Sequence, residues 1–235
     1  MPSEGSCFPG TTSRRLELGE GTLRGDEQLE PPIAGVLLTG GDSSRMGFDK
    51  ASMLIGGTPC AVVVAKALRA VVPVALEVGP GVSGLPFVKD DPPGDGPLMA
   101  LCTAVETFRL ASRVRSVLVL ACDLPLVTEA VLRPLAEWPG GSSVVPVIGG
   151  EPQPLCARWS TRDLVAASSL ARAGRRSMRV LLERPGVVLV DEKSWPVELD
   201  SSAFSDADQS SDLDRLGLAW QAAPARVPRV ELPRP

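Results

Sequence analysis

The chain has 235 residues, 44% of them hydrophobic, and a formal net charge of −4. That is enough length for one large domain or two small ones around a substantial core, and the charge gives no footing for wholesale nucleic-acid binding. There is no histidine and no tyrosine, which excludes a Ser-His-Asp or Cys-His nucleophile system and any His-ligated zinc or iron site. Catalysis must then come from carboxylates, Lys, Arg, backbone N–H groups and a hard metal ion. The five cysteines, Cys7, Cys60, Cys102, Cys122 and Cys156, form no C-x-x-C pair, against both a disulfide framework and a zinc site. No apolar stretch approaches the roughly 20 residues of a membrane span, and Met1-Pro2-Ser3-Glu4-Gly5 has no secretory pattern. A cytoplasmic protein with no membrane association is expected.

Residues 1–31 are rich in Gly, Ser, Glu and Thr with weak apolar periodicity, which predicts a disordered extension. From Ile33 the character changes. Apolar runs of strand length recur at 33–38, 74–79, 86–89, 116–121, 143–148 and 186–190. Helical segments are predicted between them: Thr58-Pro59 as N-cap and first helical residue of one reaching Ala70, Pro97 to Leu110, and Thr128-Glu129 to Glu137. Further helices are expected at 161–172, 177–183 and 210–220, and the Pro- and Arg-bearing tail 222–235 is expected to be disordered. Strands alternating with helices predict a mostly parallel α/β sheet covered on both faces, in one domain over 32–221.

In such a sheet ligands bind beyond the carboxyl ends of the strands, and three strand ends carry suitable residues. The first is Leu37-Leu38-Thr39-Gly40-Gly41-Asp42-Ser43-Ser44-Arg45-Met46-Gly47-Phe48-Asp49-Lys50. A glycine pair just past a strand lets the backbone turn sharply and presents its N–H groups. Two serine hydroxyls and the charges of Arg45 and Lys50 add what a polyphosphate ligand needs. The spacing is neither G-x-G-x-x-G nor a P-loop, and a glycine-rich turn with incidental cations is the alternative. The second strand end is Lys89-Asp90-Asp91-Pro92-Pro93-Gly94-Asp95-Gly96-Pro97-Leu98. The third is Val119-Leu120-Ala121-Cys122-Asp123-Leu124-Pro125, where Asp123 is either a ligand for a hard Mg²⁺ or a cap of the following turn.

The string G-G-x-S-x-R-M-G-x-D-K after a first strand resembles the molybdenum cofactor guanylyltransferase family of nucleotidyltransferases, and the likeness runs from about residue 33 to about 220. The resemblance implies a single Rossmann-like nucleotidyltransferase domain. It would transfer GMP from GTP to molybdopterin or the molybdenum cofactor and release pyrophosphate, with Mg²⁺ as cofactor. It implies Arg45, Lys50 and Asp123 as catalytic residues, with Asp123 also holding the metal. Nucleotide contacts fall to Leu38, Thr39, Gly40, Gly41, Lys50, Asp90, Gly96, Pro97 and Asp123. Second-substrate positions are Gln153 and Pro154, Arg176 in Arg175-Arg176-Ser177 (a solvated helix cap is its other reading), and Asp206 and Asp208 in Phe204-Ser205-Asp206-Ala207-Asp208-Gln209-Ser210. That last segment takes the place of the family's Asn-x-Asn-Thr-Pro, and Met99-Ala100 replaces Ala-Gly after Gly96-Pro97-Leu98. Transient contact with other cofactor-biosynthesis proteins would follow. The runner-up readings are a CTP-dependent cytidylyltransferase and a non-catalytic nucleotide-binding scaffold.

Overall fold

The structure, a computed structural model, describes residues 33–40, 50–90, 95–109, 114–195, 200–207 and 210–222. The expected N-terminal extension, nearly all of the expected tail, and the sites Gly41, Arg45 and Asp208 lie outside the described residues. The elements are β1 (Ile33–Leu38), β2 (Leu54–Ile55), β3 (Thr58–Pro59), α1 (Cys60–Arg69), β4 (Ala75–Val78), β5 (Phe87–Val88), α2 (Pro97–Arg109), β6 (Ser116–Ala121), α3 (Glu129–Ala136), β7 (Val144–Ile148), β8 (Glu151–Pro152), β9 (Cys156–Ser160), α4 (Thr161–Arg172), α5 (Arg179–Leu182), β10 (Val188–Asp191), α6 (Ser210–Arg215) and β11 (Trp220–Gln221).

The main sheet runs β10-β7-β9-β6-β1-β4-β5. β5, β4, β1, β6, β7 and β10 are parallel, and β9 runs against both β6 and β7. The central strands are apolar throughout because both of their faces are covered. Along β1, Leu37 joins one core with Ala61, Val64 and Leu68 of α1 and Leu132 and Leu135 of α3. Ala34, Val36 and Leu38 join the other, with Leu101 and Ala104 of α2 and Leu164 and Ala167 of α4. Gly35 lets α1 approach closely: a Cβ there would sit 2.8 Å from Leu68 Cγ. The expected sheet, mostly parallel with helices on both faces, is the one found.

The helix expected at 210–220 ends at Arg215, with Trp220 in a strand instead, and two further expectations need correction. α1 begins at Cys60, with Pro59 in the N-cap position, because Thr58–Pro59 pairs with β2 across a Gly56-Gly57 turn. The C-terminal β11 completes that small sheet, placing Trp220 opposite Ile55. The second correction is β9, which the sequence reading lacks. Its residues, Cys-Ala-Arg-Trp-Ser, are all buried, but Arg158 breaks the apolar pattern. Arg158 is only 2% exposed, and its guanidinium donates to the carbonyls of Trp138 and of Gly140 (2.7 Å). A charged group is tolerated in a buried strand only with such partners, and those partners come from another part of the chain.

Candidate functional site

The site forms where β1, β4, β5 and β6 end. The Leu38 carbonyl accepts from the Cys122 N–H (3.0 Å), and the Thr39 N–H donates to the Val78 carbonyl (3.1 Å). The chain leaving β1 is therefore stitched to both neighbouring strands before it turns. Thr39 is buried, and its hydroxyl donates to Glu77 Oε1 at 2.5 Å. Gly79 lies against it: a Cβ there would be 2.1 Å from Thr39 Oγ1 and 2.9 Å from the Gly40 nitrogen. Gly40 is exposed, and Asp90 Oδ2 is 3.5 Å from where a Gly40 Cβ would be. Thr39, Gly40, Gly79 and Asp90 thus make one corner of the site. Lys50 opens a 3₁₀ turn, Lys50–Ser52, followed by Met53, with Ala51 and Met53 buried in the core. Its carbonyl accepts from the Met53 N–H (3.2 Å), and the Met53 carbonyl in turn accepts from the Cys60 N–H (2.7 Å).

Asp123 follows β6 and is half-buried. The backbone around it is held on three sides. Besides the Cys122 bond to Leu38, the Cys60 thiol donates to the Cys122 carbonyl at 3.0 Å, and the Ala207 N–H donates to the Asp123 carbonyl at 2.8 Å. Burial, with the charge of Asp123 adding to it, pushes the Cys60 thiol up to about 12. Cys60 therefore stays protonated near neutral pH, which suits a donor and rules out a thiolate nucleophile. Ala207 is fully buried, so the exposed Asp206 is brought beside the end of β6 from far along the chain.

The proposed second-substrate residues are gathered only in part. Gly96, with φ of +88°, begins the turn into α2, and its carbonyl accepts from the Met99 and Ala100 N–H groups at 3.2 and 3.3 Å. Arg176 forms an ion pair with Asp95, and its carbonyl lies 3.7 Å from the position of a Gly96 Cβ. Arg176 is thereby joined to the Gly96-Pro97 turn, whereas Arg175 pairs with Glu183 at 3.1 Å. Gln153 and Pro154 follow the β7–β8 hairpin, whose Gly149-Gly150 turn has φ of +57° and +85°. The Pro154 carbonyl accepts from the Trp159 indole N–H at 3.0 Å. One residue on, the Leu155 carbonyl accepts from the Ala121 N–H at 2.9 Å, two residues before Asp123. The Gln153 side chain donates within its own turn, to the Glu151 carbonyl at 3.2 Å.

Glu77 and Gly79 escaped the sequence reading, which named Cys60 and Asp95 but gave neither a role. For Glu77 a signal existed: a single carboxylate inside the otherwise apolar Ala75-Leu76-Glu77-Val78. What the arrangement offers chemically is backbone donors, the exposed Gly40 and hard oxygen ligands. Among the described residues no three His, Cys, Asp or Glu side chains cluster as a ready-made metal cage. A metal at Asp123 would thus rest on one or two carboxylates together with ligand oxygens and water, the habit of Mg²⁺. No helix of the described residues is long and apolar enough to cross a membrane.

Residues 35–187 match the family described as the MobA-like NTP transferase domain. A protein of Haloferax mediterranei named "Probable molybdenum cofactor guanylyltransferase" is 30% identical over 202 residues, covering 80% of this chain and 94% of that protein. A protein of Mycobacterium tuberculosis with the same name is 33% identical over 161 residues, 65% of this chain and 80% of its own length. Among solved structures, the molybdopterin-guanine dinucleotide biosynthesis protein A of Archaeoglobus fulgidus superposes with a TM-score of 0.62 at 23% identity, covering 77% of this chain and 95% of that one. A nucleotidyl transferase of Methanothermobacter thermautotrophicus superposes with a TM-score of 0.60 at 20% identity, covering 80% and 96%. At those identities the superpositions speak for the fold alone.

Proposed function

The chain belongs to the MobA-like NTP transferase family and is a nucleotidyltransferase, and from that premise we propose that it transfers GMP from GTP to the terminal phosphate of molybdopterin or its molybdenum form. The observation that carries the reading is the convergence of Thr39-Gly40, Asp90 and the backbone-clamped Asp123 at neighbouring strand ends, in a chain whose relatives are named for guanylyl transfer. An acceptor phosphate oxygen attacks the α-phosphorus of GTP. The bond from that phosphorus to the bridging oxygen breaks, and pyrophosphate leaves with the electron pair. The acceptor is already an anion, so no general base is needed, which agrees with a chain lacking histidine.

The obstacle is repulsion between polyanions, and charge neutralisation with in-line positioning answers it. Leu38 and Thr39 present backbone groups to the base, and Asp90, facing Gly40, orients the nucleoside. Gly40, Gly41, Arg45 and Lys50 hold the leaving pyrophosphate, and Gly96-Pro97 closes the nucleotide pocket. Gln153, Pro154, Arg176, Asp206 and Asp208 serve the acceptor. Asp123 supplies the hard oxygen donor that fits Mg²⁺. The ion, when bound there, neutralises charge on the α-phosphate. We assign the reaction to the cytoplasm, with the acceptor delivered by other proteins of cofactor biosynthesis.

The test is pyrophosphate release by the full chain with molybdopterin, Mg²⁺ and each nucleotide in turn. GTP is expected to support turnover, CTP, ATP and UTP much less, and Asp123→Asn to lose about 100-fold or more while melting within a few degrees of the wild type. Silence of the wild type with GTP, or a preference for CTP, would overturn the assignment.

A further inference from the structure

Glu77 is a carboxylate with no exposure to solvent, at the end of an apolar strand. Five donors converge on it. Oε1 accepts from the Thr39 hydroxyl (2.5 Å) and from the Gly81 and Val82 N–H groups (2.7 and 3.0 Å). Oε2 accepts from the Ser83 N–H (2.9 Å) and the Ser83 hydroxyl (2.5 Å). Four of these five donors belong to the loop that follows β4, and the fifth belongs to the turn that follows β1. One carboxylate oxygen therefore ties the two segments together across a sequence separation of 38 residues. Charge-assisted bonds of this kind are short and strong, and they are stronger where water is excluded. Gly79 adds a steric side to the same junction, because only a hydrogen fits between it and Thr39 Oγ1.

We infer that Glu77 is a positioning residue for nucleotide selectivity: it locks the Thr39–Gly40 peptide through the Thr39 hydroxyl, and that peptide reads the base. This rests on the guanylyl-transfer reading above. Backbone groups discriminate one base from another only if they are held to a fraction of an ångström. Thr39 has no other side-chain anchor of comparable quality, since its second contact, to the Val78 carbonyl, is 3.5 Å long. A glutamine at 77 cannot replace the carboxylate. It has one acceptor oxygen, and its amide group would point N–H bonds at the N–H donors of either Gly81 and Val82 or Ser83.

Equilibrium binding of GTP, ATP and CTP with Mg²⁺ to the full chain, by calorimetry, tests this. Thr39→Val keeps the backbone and the shape but removes the hydroxyl. It is expected to weaken GTP about tenfold, the scale of one mispositioned hydrogen bond, while ATP and CTP weaken much less, so that the preference collapses. Thr39→Ser should retain the wild-type preference, and Glu77→Gln should lose it as Thr39→Val does. Should Glu77→Gln fail to fold, the valine and serine variants carry the test. A lowered melting temperature with an unchanged GTP-to-ATP affinity ratio in Thr39→Val would reduce Glu77 to a structural role and overturn the inference alone. A wild type that binds GTP no better than ATP or CTP would overturn the guanylyl reading, and this inference with it.

Discussion

Gly79→Ala puts the corner of the site under direct strain. The added methyl would lie 2.1 Å from Thr39 Oγ1, 2.9 Å from the Gly40 nitrogen and 3.1 Å from the Thr39 carbonyl carbon. Rotating Thr39 away relieves the first contact but breaks its bond to the buried Glu77, at about 1.5–3 kcal/mol for a hydrogen bond to a charged group. The remaining contacts are with backbone, which must shift, and alanine at a φ of +150° adds strain on the order of 1 kcal/mol or more. Together these give a loss of about 3–5 kcal/mol, or roughly 10 °C in melting temperature for a chain of this size. Gly150→Ala is the control. It sits at a φ of +85° with nothing within 4 Å of the new Cβ, so it carries the conformational term alone, about 1 kcal/mol. Urea unfolding of both variants gives the difference, and GTP titration of Gly79→Ala should show weakened binding. Equal costs for the two substitutions, or wild-type GTP affinity in Gly79→Ala, would refute the claim that Gly79 is reserved for contact with Thr39 and Gly40.

Lys50→Ala and Arg45→Ala should each lower kcat by about 100-fold while changing GTP affinity much less, because contacts to charge developing on pyrophosphate strengthen in the transition state; a purely KM effect would make them ground-state binders. Burial pushes the Cys156 thiol from its ordinary 9.0 up to about 12. The unfolded chain therefore gives up this proton at lower pH than the folded one, and the native state loses stability as pH rises above 9, by about 1.4 kcal/mol per pH unit. The destabilisation caused by Cys156→Ala should accordingly shrink by about 1.4 kcal/mol between pH 8 and pH 10, and a constant difference in urea unfolding would contradict it. Deleting residues 1–30, a segment of weak apolar periodicity, should leave the melting temperature and GTP binding unchanged; a drop of many degrees would show that it packs on the domain.

The β1 strand, the β6 strand and the place of Asp123 at its end were legible in the sequence because each is a contiguous signal: an apolar run, then a charged residue or a glycine at its end. The α/β class was legible for the same reason, since alternation of strand-length and helix-length patterns is local. Long-range contacts were not. Arg158 disguised β9, because the carbonyls of Trp138 and Gly140 that receive its charge come from the chain before β7. Arg176 reached Asp95 across 81 residues, and Ala207 reached the Asp123 carbonyl across a comparable span. Thr58–Pro59 became a strand instead of a helix start only because β2, itself paired with β11, supplies its ladder. Glu77 marks the division most sharply. By itself the sequence determined that a lone carboxylate stands in an apolar strand. Only the tertiary structure decided that it is buried among five donors and joined to Thr39, since a buried charge is settled by partners that folding brings from elsewhere.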